Sequence, residues 1–93
     1  MIPKQVKIGG RVYNVVFCQE VDEDNANTDG KILYSKREIR LKSGMDEAYT
    51  NEVLLHEIVH GVFNFLHFEQ DENLVEKLTN SLYQVLADNN LKF

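Results

Sequence analysis

A single cysteine, Cys18, stands in the whole chain, so no disulfide can form within it; its apolar neighbours mark a reduced thiol filling space in a strand. A basic excess is missing too. Ten Lys and Arg stand against fifteen Asp and Glu, and the cations gather into no dense patch. With a net charge of -5 and a pI near 5.1, the chain lacks the footprint that nucleic-acid phosphates and anionic membranes attract. No apolar run is long enough to span a bilayer, and "MIPKQVKIGG" has neither the apolar core nor the cleavage site of a secretion signal. Linkers, repeats and low-complexity tracts are absent as well. These absences lead to the expectation of a cytoplasmic protein with no nucleic-acid or membrane partner, folded as one small domain over residues 1–93.

What is present divides into two textures. Up to Lys42 the chain reads as strands. "QVKIGGRVYNVVFCQ" is a pair of β-rich runs around Gly9-Gly10, a hairpin signal, with bulk from Val12, Val15, Val16 and Phe17. "VDEDNANTDG" is an acidic loop ending in glycine. Its Asn25, Asn27, Asp29 and Gly30 partly follow a calcium-loop spacing, but the bidentate position falls on Lys36 and no helices flank it, so a solvated turn is expected. "KILYS" and "EIRLK" follow, joined by Ser35-Lys36-Arg37. In "EIRLK" Ile39 and Leu41 alternate with Glu38, Arg40 and Lys42, the pattern of a half-buried strand with the charged face of a sheet edge.

The second half is helical. Asp46 is a candidate N-cap for a helix running to about His67, "HFEQDEN" interrupts, and a second helix runs from near Asp71 to about Asn89. The second helix carries a stripe of Leu74, Val75, Leu78, Leu82, Val85 and Leu86, which calls for packing. The order ββββαα predicts an α+β fold: a small antiparallel sheet of three to four strands packed with two C-terminal helices.

Within the first helix, "LLHEIVHGV" places His56 and His60 one turn apart on one face, about 6 Å in height. Two imidazoles so placed converge on one metal ion. Glu57 is rotated about 100° away, too far to join easily as a ligand but able to reach a water on the metal. That is the division of labour in H-E-x-x-H: two ligands and one general base, with zinc lowering the pKa of its water towards ~7. The pattern arises by chance in on the order of a few chains per thousand of this length. Its setting among Leu54, Leu55, Ile58, Val59, Val62 and Phe63 adds weight, because unpartnered polar groups there would cost several kcal/mol. A catalytic zinc takes a third protein ligand. His67 lies roughly 16 Å further along a continuous helix, and no Gly or Pro between Val62 and Leu66 breaks it. The second helix is the better source: Glu72 and Glu76, four apart, both lie off the centre of its apolar stripe, and either could face the histidines.

These residues resemble a family. "LLHEIVHGVF", an acidic break and "ENLVEKLTNSLYQVL" are similar to minimal zincins, closest to the ImmA/IrrE-like metallopeptidases and their short phage-associated relatives. The resemblance covers roughly Leu54 to Leu86, and the first half matches in style alone. It implies a minimal zincin-like fold, one zinc ion, His56 and His60 as ligands, Glu57 as general base, and Glu76 as third ligand with Asn80 supporting it from one turn on. Glu72 remains the alternative ligand, because the Glu72–Glu76 spacing resembles that of larger gluzincins. Thr79 departs from the small apolar residue usual there, and no oxyanion-stabilising residue is identified. The resemblance further implies that "EIRLK" is the edge strand that pairs with an extended substrate. It points to a zinc metallopeptidase acting on a protein or peptide, such as a repressor, in a phage or mobile element. The alternatives are a zinc-binding interaction module without turnover, and a purely structural metal tying the helices together.

Overall fold

Gly9 and Gly10 both take positive φ, 58° and 83°, the conformation a two-residue turn needs between twisted strands. They join β1 (Gln5–Ile8) to β2 (Arg11–Cys18) as the hairpin expected from the sequence, with Ile8 opposite Arg11. The computed structural model describes residues 2–91. After β2 come β3 (Gly30–Leu33), β4 (Glu38–Lys42), α1 (Glu47–Phe65) and α2 (Glu72–Asp88). The α+β architecture is as the sequence predicts: a four-stranded sheet with two C-terminal helices. No described helix is long and apolar enough to cross a membrane.

The sheet differs from expectation in two ways. Its order is β1-β2-β4-β3, and β2 pairs with β4 in parallel, so the sheet is mixed rather than wholly antiparallel. "EIRLK", read as an edge strand, is β4 and lies inside the sheet; the free edge on that side belongs to β3. The reason is burial. Ile39 and Leu41 are fully buried, which requires strands on both sides as well as a helix above. The loop after β2, anchored by buried Val21, carries the chain past β4's place, and the β3–β4 turn then returns β4 into the gap. The charges on β4 pair locally on the sheet's wet face, where Arg40 Nε donates to Glu38 Oε1 at 2.7 Å.

Ile8, Tyr13, Ile39, Leu41 and Leu54 form the main core between the sheet and α1. Gly61 sets the spacing. A Cβ there would meet Ile8 Cδ1 at 2.7 Å and Ile32 Cδ1 at 3.2 Å, so the close approach is to side chains of the sheet. Gly61→Val should therefore lower the unfolding free energy by about 1–3 kcal/mol, the usual range for overpacking. Urea denaturation reads this, and an unshifted midpoint would show slack at that contact.

Among the described residues α2 meets α1 alone and no strand. Val59, Phe63 and Val75 make this second, smaller core. The expected apolar stripe of α2 is present, but most of it is uncovered: Leu74, Leu78, Leu82 and Val85 are all exposed.

Candidate metal centre

The site is built by how α1 ends and α2 begins. Asp46 caps α1 as expected, its side chain accepting the Tyr49 N–H at 2.8 Å. The helix stops at Phe65 because His67 takes φ 59°, the left-handed conformation more often given to glycine. Two bonds close the end: the Phe68 N–H donates to Phe63 O at 2.9 Å and the His67 N–H to Asn64 O at 3.2 Å. The Phe63 and Phe68 rings meet edge to face at 5.6 Å, the apolar contact that goes with this helix terminus. His67 is thus the residue that turns the chain, and it lines a separate cleft with Arg11 and Asn64. Four residues later Asp71 caps α2 by accepting the Leu74 N–H, and Glu72 opens the helix.

This tight return fixes the register of the antiparallel pair, and Glu72 arrives opposite the two histidines. Its Oε1 lies 2.7 Å from His56 Nε2 and its Oε2 lies 2.9 Å from His60 Nε2. The three donor atoms of His56, His60 and Glu72 all lie within 4.8 Å of one another. The imidazoles stand edge to face with centroids 4.9 Å apart. The amino end of α2 adds a favourable field for a carboxylate in its first turn. Glu76, favoured by the resemblance, is not in this cluster. It sits one helical turn on, about 6 Å along the axis, and lines the neighbouring groove with Glu52, His56 and Glu57. Asn80 lines the same groove and makes no hydrogen bond to the cluster among the described residues. Thr79 is buried and donates its hydroxyl to Val75 O at 2.8 Å.

Glu57 occupies the face of α1 turned towards β3. It is only 7% exposed, and its side chain makes no hydrogen bond among the described residues. Burial pushes its carboxyl up to about 7; the charge on His60 pulls the other way and the Glu72 carboxylate adds to the rise. Gly30 on β3 leaves room for it, since a Cβ there would lie 3.3 Å from Glu57 Oε2. Two cavities share Gly30, His56 and Glu57 in their walls. One, of about 320 Å³, runs towards Asp29 and Tyr49, where the tyrosine hydroxyl donates to Asp29 Oδ2 at 2.6 Å. The other, of about 340 Å³, holds His60, Gln70, Glu72 and Tyr34 beside Lys31 and Ile32 of β3. The Tyr34 hydroxyl is pushed above its ordinary range, chiefly by burial and then by Glu57 and Tyr13.

One residue of the cluster's surroundings carried no signal in the sequence. Gln70, in the loop between the helices, has its Oε1 2.8 Å from His60 Nδ1, and its Nε2 donates to His60 O at 3.1 Å and to the Tyr34 hydroxyl at 3.3 Å. Glutamine is common in loops, and only the folded return brings this one back over α1.

Two imidazole nitrogens and a carboxylate oxygen are a donor set suited to zinc, and a fourth coordination position on the groove side would be left to water or substrate. The buried, unpartnered Glu57 beside them also fits a cation at that point. Comparisons with protein-family models, with curated proteins and with solved structures found no match.

Proposed function

We propose that this protein is a zinc-dependent peptide hydrolase. His56, His60 and Glu72 hold the metal, and Glu57 is the general base. The observation that carries the reading is the convergence of three donors within 4.8 Å, next to a buried carboxyl raised to about 7. A carboxyl poised there has the basicity suited to taking a proton from water and handing it to a leaving amine near neutral pH. Bound zinc would supply Lewis acidity, polarising a carbonyl oxygen and activating water. The free edge of β3, rather than β4, borders the groove and offers backbone groups to an extended peptide. This ligand set keeps the reading within the minimal zincin pattern, with Glu72 in the ligand role that the resemblance assigned to Glu76. A repressor-like protein of a phage or mobile element is the substrate the resemblance proposes.

A second reading is a zinc-bearing interaction module without turnover. The exposed row Leu74, Leu78, Leu82 and Val85 on α2 favours it, because apolar rows of that length mark contact surfaces.

The test is hydrolysis of a fluorogenic peptide library by zinc-loaded protein. Cleavage should stop on treatment with a strong chelator and return with added zinc, and His60→Ala should be inactive. Protein that takes up no zinc from excess, or cleavage that survives chelation, would overturn the proposal. Full zinc uptake without cleavage of any peptide would favour the interaction module.

A further inference from the structure

We infer that Gln70 is a positioning residue that commits His60 to one ring tautomer and so presents its Nε2 to the metal; the inference rests on the zinc-centre reading above.

A backbone carbonyl only accepts hydrogen bonds. His60 O, 3.1 Å from the Gln70 amide nitrogen, therefore requires the NH₂ end of the amide to face it, because the opposite orientation would set two oxygens against each other. The second amide hydrogen goes to the Tyr34 hydroxyl at 3.3 Å, and that hydroxyl in turn donates to His60 O at 3.3 Å. With the nitrogen end so fixed, Oε1 is the atom 2.8 Å from His60 Nδ1. An amide oxygen also only accepts, so Nδ1 carries the hydrogen. That leaves Nε2 as the ligating nitrogen; it lies 2.9 Å from Glu72 Oε2, a contact that needs a hydrogen between the two atoms in the metal-free protein and that a metal would replace, drawing on the Nε2 lone pair.

The network is closed. Both hydrogens and the oxygen of one amide are used, and two of its three contacts are to the same histidine. It joins three places in the fold: the loop before α2, which carries Gln70, the turn after β3, which carries Tyr34, and α1, which carries His60. Gln70 thus does for His60 what a carboxylate or carbonyl partner does for metal-binding histidines generally. It holds the ring plane and leaves the other nitrogen free to ligate. No side-chain partner of this kind is present on His56 among the described residues, so the effect is specific to one of the two rings.

The experiment compares wild type with Gln70→Leu, Gln70→Glu and Tyr34→Phe. Zinc affinity is measured by competition with a chromophoric chelator. Nitrogen-selective NMR of the metal-free proteins reads whether His60 holds an exchange-protected proton on Nδ1, with His56 as the internal control. Gln70→Leu should bind zinc about 10–100-fold more weakly, the range for losing such a partner, and should lose the protected proton. Gln70→Glu keeps an acceptor for Nδ1 and should retain the protected proton, but its second oxygen faces His60 O in place of the amide nitrogen, so its zinc affinity should lie between wild type and Gln70→Leu. Tyr34→Phe removes one anchor and should fall between. Wild-type affinity together with an unchanged His60 proton signal in a folded Gln70→Leu protein would overturn the inference and leave the zinc reading standing. Loss of the proton signal in Gln70→Leu, with no zinc bound by any variant, would support the positioning role and overturn the zinc reading.

Discussion

Glu72→Ala will lose tight zinc binding, and Glu76→Ala will keep it. Glu72 supplies one of three donors in contact, with its two oxygens 2.7 and 2.9 Å from the histidine nitrogens. Structural zinc sites bind with about 10–16 kcal/mol over four ligands, or roughly 3 kcal/mol for each. Removing one should therefore cost on the order of a hundredfold or more in affinity. Glu76 lies a turn away beside the groove, where its charge acts through solvent. Its removal should change affinity by less than about tenfold. Chelator competition on the two folded variants gives the answer directly. The reverse ranking would restore Glu76 as the ligand and would mean that the helices shift by a turn when the metal enters.

Glu57→Gln should have two large effects of opposite kind. Peptide hydrolysis should fall by about 10²–10⁴-fold, the contribution typical of a general base, while zinc binding is retained. The metal-free protein, by contrast, should become more stable at alkaline pH. The folded carboxyl is raised to about 7 from an ordinary 4.5, so the fold favours its protonated form. Below about pH 4 both folded and unfolded chains hold the proton and this group costs nothing. Between 4.5 and 7 the unfolded chain releases the proton first, so stability falls as pH rises. Above 7 the loss is complete at about 3 kcal/mol. Glutamine has no charge to bury, and the variant should lack this slope. Urea denaturation of metal-free protein at pH 5 and pH 8 measures it. Parallel pH dependence in wild type and Glu57→Gln would show that burial does not perturb this group, and unchanged hydrolysis would remove it from the reaction.

How much of this was legible in advance follows from the range of each interaction. The cap Asp46, the start of α2 near Asp71, the Gly9-Gly10 turn and the helical placement of His56 and His60 depend on neighbours within four residues, and all are where the sequence places them. The β-strand character of "EIRLK" was also local. Its place was not, because pairing with β2 in parallel depends on a long crossover and on neighbouring strands taking both edges of β4. The end of α1 was hard to read for a different reason. His67 fills a position usually marked by glycine, and the signal lay instead in the Phe63–Phe68 contact, which forms only once the helix has turned.

The third ligand separates the two kinds of information most clearly. From sequence alone, the helical period puts Glu72 and Glu76 on the same side of α2, and nothing local ranks one above the other. The choice depends on the axial offset between two helices, and that offset is set by a six-residue return packed through Val59, Phe63 and Val75. Gln70 joins the site for the same reason. The sequence by itself determined the pieces with a fixed period: two imidazoles one turn apart, a glutamate rotated about 100° from the first of them, and a helix carrying two candidate carboxylates to follow. The tertiary structure alone decided which carboxylate meets the imidazoles and which strand edge borders them. Those distances run between elements, and their packing rather than their propensity sets them.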